Sequence, residues 1–456
     1  MKDLMGAPNP GFARPPKGVQ ENLGAARRFL VRRWFYVFVL LLLLVPALVA
    51  SWIWWHQIKA PDRSQPGAVA FGDLVAKGAY LARAGNCMLC HTRTGAEPFA
   101  GGRAIETPFG AVYSSNLTPD PATGIGSWTS IDFWRAMHEG RSKDGRLLYP
   151  AFPYVNFTQI TQDDSDALFA YLRSLSPVVQ NNQKHALRWP YDSQLALAGW
   201  RTLYFKPAAF QREPDRGAQW NRGAYLVGSL GHCNACHSAR NLLGAVDERF
   251  DLAGGPMPMK NWYAPSLLLS DEAGLGDWDV TEIVRLLRTG VAASASVTGP
   301  MAEVVLHSTQ YLSEPDLTAM AVYLRSLSRS APGANPAPAS SRSAPSPEGA
   351  ALYDKHCADC HGANGEGVAG VYPAMAGNRA VLLRNPANLV QIVLYGGFAP
   401  ATQGNPRPYG MAPYKLILND KAVAAVLTHI RNSWGNQAAA VSEFDVTGIR
   451  DATAAR

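Results

Sequence analysis

Three pentapeptides of one form set the limits on what this chain can fold into: Cys87-Met88-Leu89-Cys90-His91, Cys233-Asn234-Ala235-Cys236-His237 and Cys357-Ala358-Asp359-Cys360-His361. They use all six cysteines of the 456 residues. Histidine is 10 of 456 residues, so one following a given pair by accident has a chance of about 2%, and three in a row roughly one in a hundred thousand. The spacing has a chemical reason. Two thiols add across the two vinyl groups of one porphyrin, and the adjacent histidine swings beneath the ring to the iron, which makes Cys-x-x-Cys-His the attachment signature of c-type haem. A zinc ribbon would bring its pairs about 15–20 residues apart, whereas successive motif histidines here lie 146 and 124 residues apart. A thioredoxin-like pair would need a βαβ setting, and three local disulfides would have no use for the histidines. The motifs predict three covalently bound c-type haems, attached through Cys87, Cys90, Cys233, Cys236, Cys357 and Cys360, with His91, His237 and His361 as axial ligands.

The same kind of helix precedes each motif. Gly78-Ala79-Tyr80-Leu81, Gly223-Ala224-Tyr225-Leu226 and Gly349-Ala350-Ala351-Leu352-Tyr353 each place a glycine and an aromatic shortly upstream of the cysteines. A glycine inside a helix costs about 1 kcal/mol relative to alanine, so three such cases predict a close helix crossing, with the closing helix of each unit as partner. The closing helices are legible. Residues 161–175 begin with a Thr-x-x-Asp capping box and residues 313–327 with Ser-x-x-Asp, and both end in Tyr-Leu-Arg-Ser-Leu. The third counterpart is Asn419 to Trp434. Helix, motif, loop, helix, loop, helix is the plan of a small all-α cytochrome c domain. The expected class is mostly α, with class I cytochrome c domains at 70–180, 216–328 and 348–445 and a Pro/Ala/Ser linker at 329–347, where five prolines rule out a core.

Charge is placed unevenly. Residues 1–33 hold seven basic and two acidic side chains and so carry +5 of the chain's +7. The next 22 residues, Trp34 to Trp55, have no charge at all. As a helix they would be about 33 Å long, enough to cross a bilayer core. Four arginines just before the run put the N-terminus in the cytoplasm and the rest outside. A cleaved signal peptide is the alternative, with Leu48-Val49-Ala50 as the cleavage site; the length of the run and the Trp52, Trp54, Trp55, His56 cluster favour a retained anchor. The tether to the helix near Phe71 is short, about 50 Å at most when extended, which places the first haem domain close to the bilayer. With +5 explained as a topology signal, no basic surface for nucleic acid remains.

Several stretches outside the motifs are distinctive. They include Thr107-Pro108-Phe109-Gly110, Ser115-Asn116-Leu117-Thr118-Pro119-Asp120, Trp262-Tyr263-Ala264-Pro265 and Met301-Ala302-Glu303-Val304-Val305, with Ala376-Gly377-Asn378 and Trp434-Gly435-Asn436 in the third unit. In these stretches the chain resembles the membrane-bound three-haem cytochrome c subunit of bacterial periplasmic alcohol and aldehyde dehydrogenase complexes, a family that also serves flavin-dependent gluconate and sorbitol dehydrogenases. The resemblance implies sixth ligands from the loop ahead of each closing helix: Met301 for the second haem and Met411 for the third. Met320 falls on a core stripe, and Met375 reads as packing. The first unit departs from the family. Relatives read Tyr-Pro-Ala-Met-Pro-Tyr where this chain has Tyr149-Pro150-Ala151-Phe152-Pro153-Tyr154, and Phe152 cannot bind iron. Two readings stay open: a first haem that is five-coordinate or takes an unusual ligand such as Met137 or His138, or an ordinary sixth ligand from another residue with Phe152 covering the haem edge.

The resemblance further implies electron relay in the inner membrane, with haem domains in the periplasm, from a dehydrogenase catalytic subunit of molybdenum, PQQ or flavin type, with or without a small subunit, to ubiquinone. The N-terminal anchor tilts the choice toward an aldehyde-oxidising molybdenum partner. The chain shows no dinucleotide fingerprint and no hydrolytic triad, so substrate oxidation falls to another chain. The rival is a peroxidase-like haem enzyme using an open position at the first haem. His56 reads as interfacial, His185 as part of a connecting loop, His232 and His356 as packing beside haem cysteines, and His307 and His429 as structural.

Overall fold

The computed structural model describes residues 32–41, 44, 48, 51, 71–246, 251–270, 272–327 and 346–454. Residues 1–63 and 64–456 form two units. In the first, residues 32–41 are helical with their side chains almost all exposed. Among the described residues no helix is long and apolar enough to cross a membrane. Half of the expected anchor at 34–55, all but the last two residues of the expected linker at 329–347, and His56 lie outside the described residues.

The second unit is mostly helical, as expected. Its first third runs through α1 (Phe71–Ala84), α2 (Ser130–Glu139), α3 (Gln162–Arg173) and α4 (Gln194–Tyr204). Strands β1 (Ala104–Thr107) and β2 (Gly110–Tyr113) form an antiparallel hairpin, extended by β3 (Ala186–Leu187). The stretch 181–215, left between the first two expected domains, therefore adds both a strand and a helix to this part of the fold. Next come α5 (Ala218–Tyr225), which runs into a π-helical turn over Leu226–Leu230, then α6 (Val280–Thr289), α7 (Pro300–His307) and α8 (Glu314–Leu327). The last third holds α9 (Pro347–His356), α10 (Ala387–Tyr395), α11 (Asp420–Asn432) and α12 (Glu443–Ala454).

The three glycines stand at helix crossings. A Cβ on Gly78 would lie 1.9 Å from the Ala167 carbonyl oxygen in α3, one on Gly223 2.0 Å from that of Ala319 in α8, and one on Gly349 2.4 Å from that of Ala425 in α11. Contacts below 3 Å leave no room for any side chain, so each motif helix lies against the backbone of its closing helix. The closing helices turn apolar stripes inward, for example Leu317, Met320, Ala321 and Leu324 at i, i+3, i+4 and i+7. Among the described residues the buried apolar side chains form two clusters. One cluster joins Leu81, Phe133, Ile160 and Leu168 to Leu226, Ile283, Leu317 and Leu324, and a second gathers Tyr353, Val390, Val423, Leu427 and Val446.

The joint core is locked by a reciprocal exchange. The Tyr80 hydroxyl of α1 donates to Asp316 Oδ2 of α8 at 2.6 Å and accepts from the Ser313 N–H at 3.2 Å. The Tyr225 hydroxyl of α5 donates to Asp164 Oδ2 of α3 at 2.6 Å and accepts from the Thr161 N–H at 3.2 Å. Each tyrosine therefore enters the N-terminal cap of the other domain's closing helix. Arg222 clamps Asp316 through two bonds of 2.8 Å, and Lys77, its counterpart before Gly78, pairs with Asp164 at 2.6 Å. The expected capping boxes are half formed: Thr161 and Ser313 accept from the N3 amides, but the N3 acids turn to the tyrosines. Thr129, which no tyrosine reaches, keeps the full box with Asp132.

The third part docks on the second through Arg379. Its backbone N–H donates to Ser294 O at 2.8 Å, and its guanidinium bonds Asp277 at 2.6 Å and Gly274 O at 2.9 Å while lying 5.2 Å from the centre of the Trp278 ring.

Candidate haem-attachment sites

Each motif is a short helical turn: Cys87–His91, Asn234–His237 after Cys233, and Ala358–His361 after Cys357. Asn86 and His232, immediately ahead of the first two, adopt left-handed φ values of 50° and 36° that turn the chain into the motif. All six cysteines are free of disulfides. Burial pushes the Cys87 and Cys233 thiols up to about 12 and Cys357 up to about 11, with the neighbouring motif cysteine adding to the rise. Among the described residues no group of three or more His, Cys, Asp or Glu side chains that could hold a metal ion occurs.

The histidines share one geometry. His91 Nδ1 lies 2.8 Å from Ser115 O, His237 Nδ1 2.8 Å from Pro265 O and His361 Nδ1 3.0 Å from Pro373 O. A carbonyl can only accept, so each Nδ1 carries the proton and each Nε2 keeps its lone pair. Burial holds all three rings below their ordinary pKa against the opposing effect of the carbonyl bond, which keeps them neutral. A neutral imidazole, oriented through Nδ1 and free at Nε2, is the form that binds iron. The indole N–H of Trp278 is buried without a protein partner among the described residues, an unmet donor that a haem propionate would satisfy.

Two arginines that sequence reasoning missed brace the motifs. Arg103 Nη1 donates to Leu89 O at 2.6 Å and Arg240 Nη2 to Ala235 O at 2.7 Å. Both carbonyls belong to the residue before the second cysteine, yet the arginines come from unrelated sequence positions, so no motif could announce them. Arg103 also approaches Glu303 of α7 at 3.8 Å. A cavity of about 2330 Å³ takes in Cys87, Cys90 and His91, the β1–β2 hairpin, and Ala235 and Cys236 of the second motif. It is large enough for a porphyrin and continues from the first motif to the second.

The Cytochrome c family profile matches residues 75–176 and 346–434. The alcohol dehydrogenase (quinone) cytochrome c subunit of Gluconacetobacter polyoxogenes is 40% identical over 396 residues, which cover 83% of this chain and 84% of that protein. The chain belongs to the cytochrome c subunits of dehydrogenase complexes. Another relative, the gluconate 2-dehydrogenase cytochrome c subunit of Pantoea cypripedii, is 38% identical over 402 residues, covering 83% of this chain and 89% of that protein. The fructose dehydrogenase cytochrome subunit of Gluconobacter japonicus is 33% identical over 421 residues, 86% of this chain and 86% of that protein. Covalently bound c-type haem is the cofactor that membership brings, and the thiol pairs and neutral histidines fit it.

Within this cytochrome c subunit the residues expected from sequence at the sixth-ligand positions stand in different settings. Met301 stands in the first turn of α7, half-buried against the joint core. Met411 pairs with Gly397 in a two-residue ladder and packs on the second core, as does Met375. Phe152 lines the first cavity with its ring 5.4 Å from that of Phe157. Met137 is buried and lines the same cavity. His138 does not: it stacks on Trp134 at 4.5 Å. His185, read as a loop residue, is a cavity wall. Its Nδ1 accepts from the Tyr113 N–H at 3.1 Å, which puts its proton on Nε2, and Tyr149 meets its ring edge-on at 5.1 Å. His232 packs on Phe157 at 5.6 Å, His356 on Tyr414 at 5.8 Å, and His429 between Tyr353 and Trp434, each at 5.7 Å. His307 closes α7.

Proposed function

We propose that this chain is a membrane-tethered electron relay with three c-type haems, taking electrons from a periplasmic dehydrogenase catalytic subunit and passing them to ubiquinone. The observation that carries the reading is the threefold recurrence of a Cys-x-x-Cys pair beside a histidine whose Nδ1 is tied to a backbone carbonyl. Bound at these motifs, c-type haem supplies one-electron iron chemistry. The chain's own residues would do the rest: the cysteines would fix each ring, and His91, His237 and His361, with Met301 and Met411 in the second and third units, would hold the iron. The first unit offers Phe152 where a thioether is expected.

Relatives named for alcohol, gluconate and fructose dehydrogenases support a dehydrogenase partner and leave its substrate open; an alcohol or aldehyde is the substrate class we adopt. The uncharged run at 34–55 supports inner-membrane anchoring with the N-terminus in the cytoplasm. A pyridine haemochrome assay on purified chain tests the haem count: three per chain is expected, and two or fewer overturns it. Identification of the chains that co-purify tests the partner, and reduction of a soluble ubiquinone analogue by the complex tests the acceptor.

A second reading has a specific observation behind it. Phe152 leaves the first haem without the family thioether, as a peroxidase-like site would need. Turnover of hydrogen peroxide by the isolated subunit favours it, whereas inertness together with rapid reduction by the dehydrogenase favours the relay.

A further inference from the structure

Helix α4 is apolar on two sides. Leu197, Ala198 and Arg201 face the interior, as a packed helix requires. Yet Leu195, Gly199 and Leu203, at i, i+4 and i+8, form an outward stripe: Leu203 is 70% exposed, and a Cβ on Gly199 would meet nothing within 4 Å. A helix resting at a water-facing surface carries polar groups there. The apolar exposure continues on both flanks. Trp189, shortly before the helix, is 84% exposed, and Leu242 is 98% exposed. Trp200 of α4 fastens the loop of Leu242 by donating to Leu243 O at 2.9 Å.

The patch lies where electrons must pass. Trp200, Leu203, Leu242 and Leu243 line the same cavity as Cys90 and His91. Contiguous apolar surface rimmed by polar groups marks a contact site, and the rim identifies the occupant. Lys184, Arg188, Lys206 and Arg240 are all exposed, while Asp192 is the one acidic residue within 184–206. Protein interfaces centre on aromatic and arginine anchors, and leucine is under-represented among them; here three leucines, Leu195, Leu203 and Leu242, stand exposed beside the single tryptophan Trp189. Leucine and tryptophan between lysine and arginine is the chemistry of a helix lying in the plane of an anionic bilayer.

We propose that α4 and the Leu242–Leu243 loop seat on the surface of an anionic phospholipid bilayer, so that the mouth of the first cavity opens where a lipid-dissolved acceptor is held. This rests on the membrane-tethered reading above, and the experiment separates the two. The full chain, with its haems and co-purified dehydrogenase, is reconstituted into vesicles of phosphatidylethanolamine and phosphatidylglycerol. A hydrophobic diazirine dissolved in the lipid is photoactivated, and the labelled peptides are mapped by mass spectrometry. Labelling of 189–204 and of the Leu242 peptide, together with 34–55, is expected at about tenfold or more above the Leu416 peptide of the third part. Leu416 is 96% exposed and so controls for exposure alone.

Labelling confined to 34–55 overturns the seating and leaves the tether standing, and that pattern also covers the case of a protein subunit occupying the patch. Equal labelling of Leu416 overturns it too, because the reagent then follows exposure. No labelling at 34–55 overturns the tether and with it this proposal. In a Leu195→Ser variant, whose side chain is 63% exposed and lies outside the cavity lining, labelling of the α4 peptide should fall several-fold while that of 34–55 is kept.

Discussion

Removing the Tyr225 hydroxyl tests the lock between the parts of the chain that carry the first two motifs. In Tyr225→Phe the ring keeps its packing, and Asp164 loses a 2.6 Å donor while the Thr161 N–H loses its 3.2 Å acceptor. A hydrogen bond to a charged acceptor is worth about 1.5–3 kcal/mol. Asp164 keeps Lys77 and can fold back on the Thr161 N–H, as Asp132 does at Thr129, which recovers about 1 kcal/mol. The net loss is about 0.5–2 kcal/mol, or roughly 2–30-fold in a local opening equilibrium. Tyr80→Phe should lose a similar amount, since Asp316 retains both Arg222 bonds. Hydrogen exchange of the holoprotein, read on peptides spanning residues 158–165 and 310–317, measures the opening directly. Each variant should speed exchange in the cap its tyrosine enters, on the other domain. Tyr353→Phe, whose hydroxyl bonds Gly362 O within the third part, should leave both peptides unchanged. Changes below about twofold in both variants would refute the lock as an energetic device. The pH dependence follows from Asp316. Burial opposes its ionisation, but the bonds from Arg222 and Tyr80 hold its pKa below the ordinary value. Its contribution is therefore present above the unfolded carboxylate range and is lost as pH falls through the lowered folded value. Tyr80→Phe should weaken that acid dependence.

Three further perturbations have definite outcomes. Phe152→Met should give the first haem a thioether ligand, adding one charge-transfer band in near-infrared magnetic circular dichroism of the oxidised protein; an unchanged spectrum would mean another residue already holds that position. Gly223→Ala, with its Cβ 2.0 Å from Ala319 O, should cost about 3 kcal/mol, whereas Gly199→Ala, in open space on a helix, should stabilise by about 1 kcal/mol; thermal melts compare the two. Arg379→Ala removes three carbonyl or carboxylate bonds and the stack on Trp278, about 2 kcal/mol in all, and small-angle scattering should record a larger radius of gyration as the third part loosens.

The parts of this fold that repeat were legible in the sequence. The Gly-Ala-Tyr-Leu tetrapeptides announced helix crossings because a glycine at equivalent helical positions has a single steric purpose, and Gly78 and Gly223 do meet Ala167 and Ala319. The tyrosine two residues on was read only as an aromatic. That it crosses to the other domain depends on how two domains pair, which no local pattern records. The capping boxes show the same limit: Thr161 and Thr129 start helices with the same Thr-x-x-Asp spacing, but only Thr129 closes its box. Arg103, Arg240 and Arg379 act through backbone carbonyls, and carbonyls carry no sequence signature. The second motif's surroundings were legible to spacing even though the family profile passes over residues 177–345.

One loop connects the outer parts of the chain through the middle one. Pro256 to Lys260 form part of the first cavity's wall. The next residues face the third part: Asn388 of α10 accepts from the Tyr263 N–H at 2.9 Å and donates to its carbonyl at 2.8 Å, and Gln391 donates to Asn261 O at 3.2 Å. Between these contacts Met259 and Asn261 hold left-handed φ values of 57° and 54°, a conformation costing about 1 kcal/mol or more for a methionine and sustained only where neighbours over-determine it. The docking of the third part therefore supports the shape of a wall that belongs to the first. Asn388→Ala isolates this coupling, because it removes both bonds to Tyr263 and leaves Arg379 untouched. Exchange over residues 255–264 should rise about tenfold for a loss near 1.4 kcal/mol, and a carbene footprint of Pro256–Lys260 should rise with it. If the 261–264 half loosens while Pro256–Lys260 keeps its protection, the two halves of the loop are independent and the second domain only joins its neighbours without coupling them.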